Sequence, residues 1–506
     1  MTLGVVVSRV VLLGALMGVT VPVASAAAQG TALVETGPPG GRRIPGPQPI
    51  NPVLLGLEAP EHDSVVAPDS LPCPDCHPPK NFWMGMGGVL IAQTVPFLVS
   101  NYVTKETWAK VSPQTWANNF NYPWQWDDND FQNNQFAHPY QGNLYYNSGR
   151  TNGYDFWASS AWTLGGSLTW EYFFEAWAPA PNDVVNTTIG GIVLGESLYR
   201  ISLLVLDNEA TGKERVWREI GAAMLNPVGG LNRLLRGETH KVTANPTNWH
   251  PSAILGVLDF GYRRTAQSIG TGVIEPGSNQ WNLSFLLSYG DPVKDLARKP
   301  FSYFAIRADL AGPGNTGVIN QVSARGSLAA WPLGGKGRHQ LALSLEYDYF
   351  NNPAFEYSGQ SAQIGVVSNI GKPGQTWWGQ TQVLFNGVLL GAVQSDYYYS
   401  VEGRDYDYGP GVGGILAGRI LYKNKLQGNV GYTGLWIRTI EGTKSAHYQD
   451  ALLLEARYWA SRKIGVGLSY IGYTRHSDYA DQPNVAESAR FLRFFITKAI
   501  PGLPLP

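Results

Sequence analysis

Beyond Thr239 the apolar residues of this chain recur at every second position. In Trp281, Leu283, Phe285, Leu287 and Tyr289 one face is apolar, while Asn282, Ser284 and Ser288 lie on the other. Leu341, Leu343, Leu345, Tyr347 and Tyr349 alternate with Gln340, Ala342, Ser344, Glu346 and Asp348. The period returns in Leu452, Leu454, Ala456 and Tyr458, in Ile464, Val466, Leu468 and Tyr470, and in Leu492, Phe494 and Ile496. Successive side chains of a strand point to opposite faces, so each run predicts a strand with one apolar side. About twelve such segments fit between Ser252 and Ile500, separated by turn-rich pieces such as GPGNTG, GGKGR and NIGKPG.

Earlier in the chain the texture is different. Met84 to Val103 carries no charge and is too long for a strand, and Pro96 predicts a kink in the helix it forms. Asn182 and Asp183 follow Pro181 and supply N-cap chemistry for a helix running through Ile189, Val193 and Ile201 to Leu206. Gly190, Gly191 and Gly195 would let a neighbouring helix come close. A further amphipathic helix, Lys213 to Leu225, stops before Pro227.

The strands fit either a soluble sandwich or a membrane barrel. Arg307, Asp309, Glu346, Asp348, Arg419, Glu455 and Arg457 all fall in mid-strand on the polar face. In a sandwich core each would cost several kcal/mol unless paired, whereas a hydrated lumen accepts them. Aromatic residues gather towards strand ends, as in Trp377 and Trp378, Tyr397 to Tyr399, and Tyr458 and Trp459. That is where an interfacial girdle needs rings that are apolar on one side and polar on the other. The reading is therefore a mainly β chain, an antiparallel transmembrane β-barrel of about twelve strands preceded by an α-helical domain.

Composition agrees with this. Lys and Arg number 37 against 38 Asp and Glu, a net charge of −1, with 15% charged and 12% aromatic residues. Such a balance argues against a nucleic-acid partner, which needs a basic surface. Arg9, the apolar run Val10 to Val23 and the small residues Ala24 to Ala28 predict a secretory signal cleaved after Ala26 or Ala28. Residues 29–80 are dense in Pro and Gly and predict an extended arm open to periplasmic or envelope partners. The expected division is 1–28 signal peptide, 29–80 arm, 81–237 helical domain and 238–506 barrel, placed in a bacterial outer membrane with lipid as its surrounding partner. The helical domain is expected to block the periplasmic mouth of the barrel or to lie beneath it.

Between His138 and Ser202 a set of short motifs runs in order: His138-Pro139-Tyr140-Gln141-Gly142, Tyr145-Tyr146, Arg150, Trp170-Glu171-Tyr172, Glu175, Asn182-Asp183, Thr187-Thr188, Gly190-Gly191, Gly195-Glu196 and Tyr199-Arg200. Together these resemble the bacterial family DUF3943. The resemblance implies an exported protein with a barrel-like tail; it implies no particular activity.

The densest polar constellation lies in the same stretch. Glu171 and Glu175 are four apart and would share a helix face. With His138, Asp183 and Glu196 they are candidates for an acid/base cluster or a metal site. The alternative is packing chemistry, with Asp183 as an N-cap and Glu196 paired to Arg200 one turn on. No nucleophile motif stands beside them. Cys73-Pro74-Asp75-Cys76-His77 matches the CxxCH pattern of covalent c-type haem attachment, in which both thiols bond the cofactor and His77 would ligate iron. A short-range disulfide or metal clip is the other use of that pair. The eight histidines are scattered, which argues against a His-rich metal site. Gly409, Gly411 and Gly414 spell GxGxxG in a strand context, where glycine marks close backbone approach, not a nucleotide. The expected function is non-enzymatic: a structural barrel or a gated or plugged conduit for small or lipid-like solutes. An envelope enzyme using the Glu/Asp/His group and an electron-transfer protein carrying haem on the arm are the alternatives.

Overall fold

The computed structural model describes residues 78–501, apart from 270–276, 292, 294, 296–298, 313–317, 335–337, 353–355 and 372–374. The expected signal peptide and Cys73, Cys76 and His77 lie outside the described residues.

Among the described residues twelve antiparallel strands close into a barrel, from β1 (Ile254–Ile269) to β12 (Val485–Pro501). Each strand pairs with its sequence neighbour, and β1 pairs with β12 to complete the ring. The intervening strands used below are β2 (Asn279–Tyr289), β3 (Phe304–Gly312), β4 (Ile319–Leu333), β5 (His339–Asn351), β6 (Glu356–Ile370), β7 (Trp377–Gln394), β8 (Tyr406–Tyr422), β9 (Leu426–Arg438), β10 (Ser445–Trp459) and β11 (Ile464–Tyr479). Closure gives every strand a partner on both sides, so the wall has no open sheet edge.

The register sorts the side chains. Asp259 faces Ser284 on the next strand, and Ser284 faces Asp309, so these three point the same way, into the lumen. The alternate positions point out. Phe260, Tyr262, Val383, Phe385, Leu416, Val430, Leu454, Val466, Phe494 and Ile496 are exposed there, forming an apolar outer wall. Trp331, Trp377 and Tyr458 are exposed near one rim, the one at which the chain enters β1; we call it the proximal rim.

The helices precede the barrel. α1 (Phe82–Thr104) starts at Asn81, whose side chain accepts the Met84 N–H, and runs on through Pro96 into a π-helical last turn. α2 (Pro113–Asn121) opens on a capping box between Ser112 and Thr115. α3 (His138–Arg150) follows a π-helical turn at Asn133–Ala137, and α4 (Phe156–Phe173) is capped by Asp155. α5 (Pro181–Val205) carries a π-helical turn at Asn186–Gly190, and α6 (Gly212–Leu225) and α7 (Pro227–Leu235) complete the set.

The position of this domain departs from expectation. It neither fills the barrel mouth nor hangs beneath it; it lies against the outer wall. Leu287, Tyr289, Phe304, Ile306, Val322, Ala324, Tyr347, Tyr349, Leu390, Ala392, Tyr406 and Tyr408 share one hydrophobic core with Phe131, Phe136, Tyr146, Ile192, Val193 and Leu204 of the helical domain. By register the strand residues of that core all point outward, in phase with the exposed wall. Ser358 and Gln360 occupy the same outward phase on β6 and are fully buried, polar positions that a lipid-facing wall would not carry.

Candidate functional site

α5 approaches α3 backbone to backbone. A Cβ on Gly142 would stand 2.9 Å from the Gly191 Cα, and one on Gly195 would stand 2.7 Å from the Tyr146 ring. Only glycine permits this crossing, which draws polar groups from three helices together at the distal end of the bundle.

Four sequence-identified groups meet there. Glu171 is buried at the end of α4, and its Oε2 accepts the Ala180 N–H at 2.9 Å. Glu175 is not on the same helix face as Glu171, because α4 ends at Phe173 and Glu175 lies in the connection beyond. Its Oε1 reaches back to accept the Trp170 indole N–H at 2.7 Å. Asp183 is in the first turn of α5, not at the N-cap, which is Ala180. Its Oδ1 accepts from the Asn182 side chain at 2.8 Å and stands 3.7 Å from His138 Nε2. The other His138 nitrogen lies 3.1 Å from the Thr187 hydroxyl.

Sequence reasoning missed the remaining members. Asp127 donates its backbone N–H to the Asn182 side chain at 3.0 Å, and the Asn119 amide donates to the carbonyls of Glu171 and Glu175 at 3.2 and 2.9 Å. The uncharged polar run Asn133-Asn134-Gln135 was the available signal, since such residues on a buried helix must find partners. Among the described ion pairs none brings a lysine or arginine to Glu171, Glu175 or Asp183. Burial, reinforced by the charge of nearby Asp127, therefore pushes the Glu175 carboxyl up to about 8, against the pull of its Trp170 bond. Burial raises Asp127 as well, partly offset by hydrogen bonds from Asn134 and Asn129. With its carboxyl at about 8, Glu175 keeps its proton at neutral pH, and the arrangement can store or relay protons. Among the described residues no three His, Cys, Asp or Glu side chains converge as a metal ion would need.

The structure sets Glu196 apart from this cluster. Thirteen residues beyond Asp183 on one helix, at 1.5 Å each, put it roughly 20 Å away. Its carboxylate is fully buried between Arg150 Nε and Arg200 Nε, both at 2.8 Å, and accepts the Tyr146 hydroxyl at 2.7 Å. Arg200 in turn donates to the Pro300 carbonyl at 3.1 Å, tying α5 to the proximal rim.

At the distal rim the domain is bolted to the barrel by hydroxyls. Tyr408 accepts from the side chains of Gln135 at 2.7 Å and Asn182 at 3.2 Å, Asn134 donates to Tyr406 at 2.9 Å, and Tyr347 donates to the Gln135 carbonyl at 2.7 Å. Arg404, fully buried, pairs with Asp128 at 3.0 Å and stacks between Tyr398 and Tyr408.

The lumen is the second candidate. Several of the mid-strand charges expected to line open water instead meet one another or a polar neighbour, along one strand or between strands. Arg457 on β10 holds Asp259 on β1 at 2.9 Å and Glu455 at 3.0 Å, Arg307 holds Asp309 at 2.8 Å, and Arg325 on β4 reaches Gln382 on β7 at 2.8 Å. Arg475, Arg493, Gln363, Gln427, Ser469 and Thr497 are buried by their neighbours in the same interior. Nearer the distal rim, Asp407 and Ser477 flank His447 at 3.1 and 2.8 Å. These are the residue types of an acid, base and nucleophile relay, but all three are fully buried, which closes Ser477 to an incoming group. Gly409 and Gly411 of the GxGxxG sit in β8, where a Cβ would meet the carbonyls of Arg438 and Trp436; tight strand contact accounts for them.

Residues 123–228 match the family model described as "Domain of unknown function (DUF3943)". The chain carries a DUF3943 domain. The DUF3943 segment takes in α3 to α6 with both polar centres, and it leaves out α1, α2 and Asn119. No curated protein matches the chain. Among solved structures it is similar to the NanC porin at 10% identity, over 47% of this chain and 98% of that one, with a TM-score of 0.27. It is also similar to an outer membrane channel from Pseudomonas putida F1 at 11% identity, over 49% and 95%, with a TM-score of 0.28. The translocator domain of the autotransporter NalP from Neisseria meningitidis gives 10%, 48% and 88%, with a TM-score of 0.23.

Proposed function

We propose that this chain is an outer-membrane conduit for small solutes whose path is held shut by its own side chains: a gated barrel in place of a standing pore. The outer wall supports the location, because a closed ring of strands with exposed Phe, Leu, Val and Ile on its outside is stable only in hydrocarbon. The observation that carries the gating is the pairing of Arg457 with Asp259, between strands that are not neighbours in the ring. Both partners are buried, so the bond opens only when solute or water supplies replacement contacts as it breaks, which keeps the path shut at rest.

Catalysis at His138, Glu171, Glu175 and Asp183 draws less support, because His138, Glu171 and Asp183 are all buried. The test is conductance in planar bilayers. Arg263 on β1 also reaches between strands that are not neighbours, to Asn320 on β4 at 2.6 Å; the native chain gives low, intermittent conductance, and the double variant Arg457→Ala, Arg263→Ala gives larger and longer openings. Native protein that conducts steadily and widely would overturn the gate. Two silent proteins, both showing heat-dependent migration, would overturn the conduit and leave a structural barrel.

A further inference from the structure

The outward phase of β2 to β8 is wall that lipid would touch, yet the helical domain covers a band of it, from the proximal ends of β2 and β3 to the distal ends of β5, β7 and β8, leaving Val383, Phe385 and Leu416 exposed. α5 touches the distal end through Asn182 and Tyr408 and the proximal end through Arg200 and Pro300. Its 25 residues at 1.5 Å each span roughly 37 Å, and the 23 residues of α1 span roughly 34 Å, against a hydrocarbon layer of about 30 Å. The chain runs up and down beside the wall. The start of α1 adjoins the end of α3, where the Asn81 N–H meets the Asn152 carbonyl at 3.1 Å. The end of α4 adjoins the segment after α1, where Trp116 Nε1 meets the Phe173 carbonyl at 2.9 Å.

Wherever the barrel is in the membrane, these helices are at the same depth. The geometry points to a bundle of four membrane-spanning helices, α1, the 131–150 helix ending in α3, α4 and α5, seated laterally on the barrel with acyl chains as the partner of its outer face.

Composition sorts by depth in the way this requires. No Asp, Glu, Lys or Arg occurs in Phe82–Thr104, and Glu171 is the only one in α4. On the outer face Leu90, Ile91, Val95, Leu98 and Leu164 are exposed. Exposed aromatic residues mark both ends, Trp83 and Trp157 at the proximal rim and Tyr102, Tyr122 and Trp124 at the distal one, as interfacial anchors do. Charge returns at once outside the span, in Lys213, Glu214, Arg215, Arg218 and Glu219 of α6. The charged residues within it are turned inward: Arg150, Glu196 and Arg200 satisfy one another. Helices in lipid gain nothing from hiding apolar surface and associate through small residues and internal hydrogen bonds, which is the pattern of Gly142, Gly191, Gly195 and the Asn/Gln lattice.

This inference rests on the barrel being in a bilayer, and the experiment separates the two. In full-length chain with Cys73→Ser and Cys76→Ser, single cysteines are placed at Leu90, Leu164, Phe494 and Lys213, labelled with an environment-sensitive fluorophore, and reconstituted into phosphatidylcholine vesicles. Quenching is compared between lipids nitroxide-labelled at mid-chain and aqueous iodide. Leu90→Cys and Leu164→Cys should be quenched by the labelled lipid as strongly as Phe494→Cys on the bare wall and be shielded from iodide, while Lys213→Cys shows the reverse. Iodide quenching at Leu90→Cys and Leu164→Cys with lipid quenching kept at Phe494→Cys overturns the bundle alone. Iodide quenching at Phe494→Cys overturns the barrel reading and this one with it. All four sites are exposed, so the substitutions leave packing intact.

Discussion

Gly142 and Gly191 meet with their backbones in contact, and a Cβ placed on Gly142 would lie 2.9 Å from the Gly191 Cα. The whole assembly of α3 on α5 depends on that approach. Gly191→Leu should weaken it by about 1–3 kcal/mol or more, the usual result of overpacking. Gly165→Ala on α4, where a Cβ meets nothing within 4 Å, should instead be neutral or stabilising by up to about 1 kcal/mol. Thermal unfolding in detergent distinguishes them; a Gly191→Leu protein that melts like the native chain would show that the helices do not cross there.

Among the described residues Glu196 is the only carboxylate that holds both Arg150 and Arg200. Replacing it by Leu strands two buried guanidinium groups, and loss of one partner of a buried network costs about 3–5 kcal/mol. The barrel, which has its own hydrogen-bonded wall, should survive. Limited proteolysis should cut Glu196→Leu protein within the helical domain and leave a barrel fragment resistant; identical digestion patterns would refute the role given to the triad.

Glu175 has its carboxyl raised from the usual range to about 8. A carboxyl that binds its proton more tightly when folded stabilises the fold fully below its unfolded value near 4.5, and that contribution is lost as pH rises through about 8. Asp127 shifts in the same direction and adds the same sign. The helical domain should therefore melt at progressively lower temperature from about pH 5 to pH 9. Glu175→Gln should flatten that slope, and an unchanged slope would place the effect elsewhere.

Arg404 reaches from the 395–405 loop of the barrel to Asp128 in the segment before α3, with tyrosine rings on either side. Arg404→Ala should loosen the distal end of the bundle by about 2–4 kcal/mol, and Arg404→Lys should restore only part, because an ammonium cannot match the flat guanidinium between two rings. Hydrogen exchange across residues 105–130 measures it. Equal protection in native and Arg404→Ala protein would mean the loop contact carries no load.

Much of this architecture was written in local pattern. Alternation at every second residue predicts strands with one apolar face, and the uncharged run at Met84 to Val103 predicts a helix, because both follow from the geometry of a single element. Glu171, Glu175, Asp183 and His138 were legible as a polar group in one stretch of chain, and the structure brings them together. Asp127, Asn119 and Tyr408 were not, since their roles arise from segments distant in sequence. Glu196 shows the converse: near Asp183 in sequence, it is carried away by the rise of the helix and pairs with Arg150 instead.

The sequence by itself determined which face of each strand is greasy and which helices lack charge. What it left open is whom those faces meet. Tyr347 and Tyr349 continue the apolar phase of Leu341 to Leu345 without a break, yet they lie under helices, as do the polar Ser358 and Gln360 opposite them. Likewise Arg457 reads as a residue of a wet lumen, and only closure of the ring brings it into a salt bridge with Asp259. Periodicity records a residue's direction from its own backbone; whether water, lipid, a helix or an opposite charge waits there is settled by contacts between elements far apart in the chain, which only the tertiary structure decides.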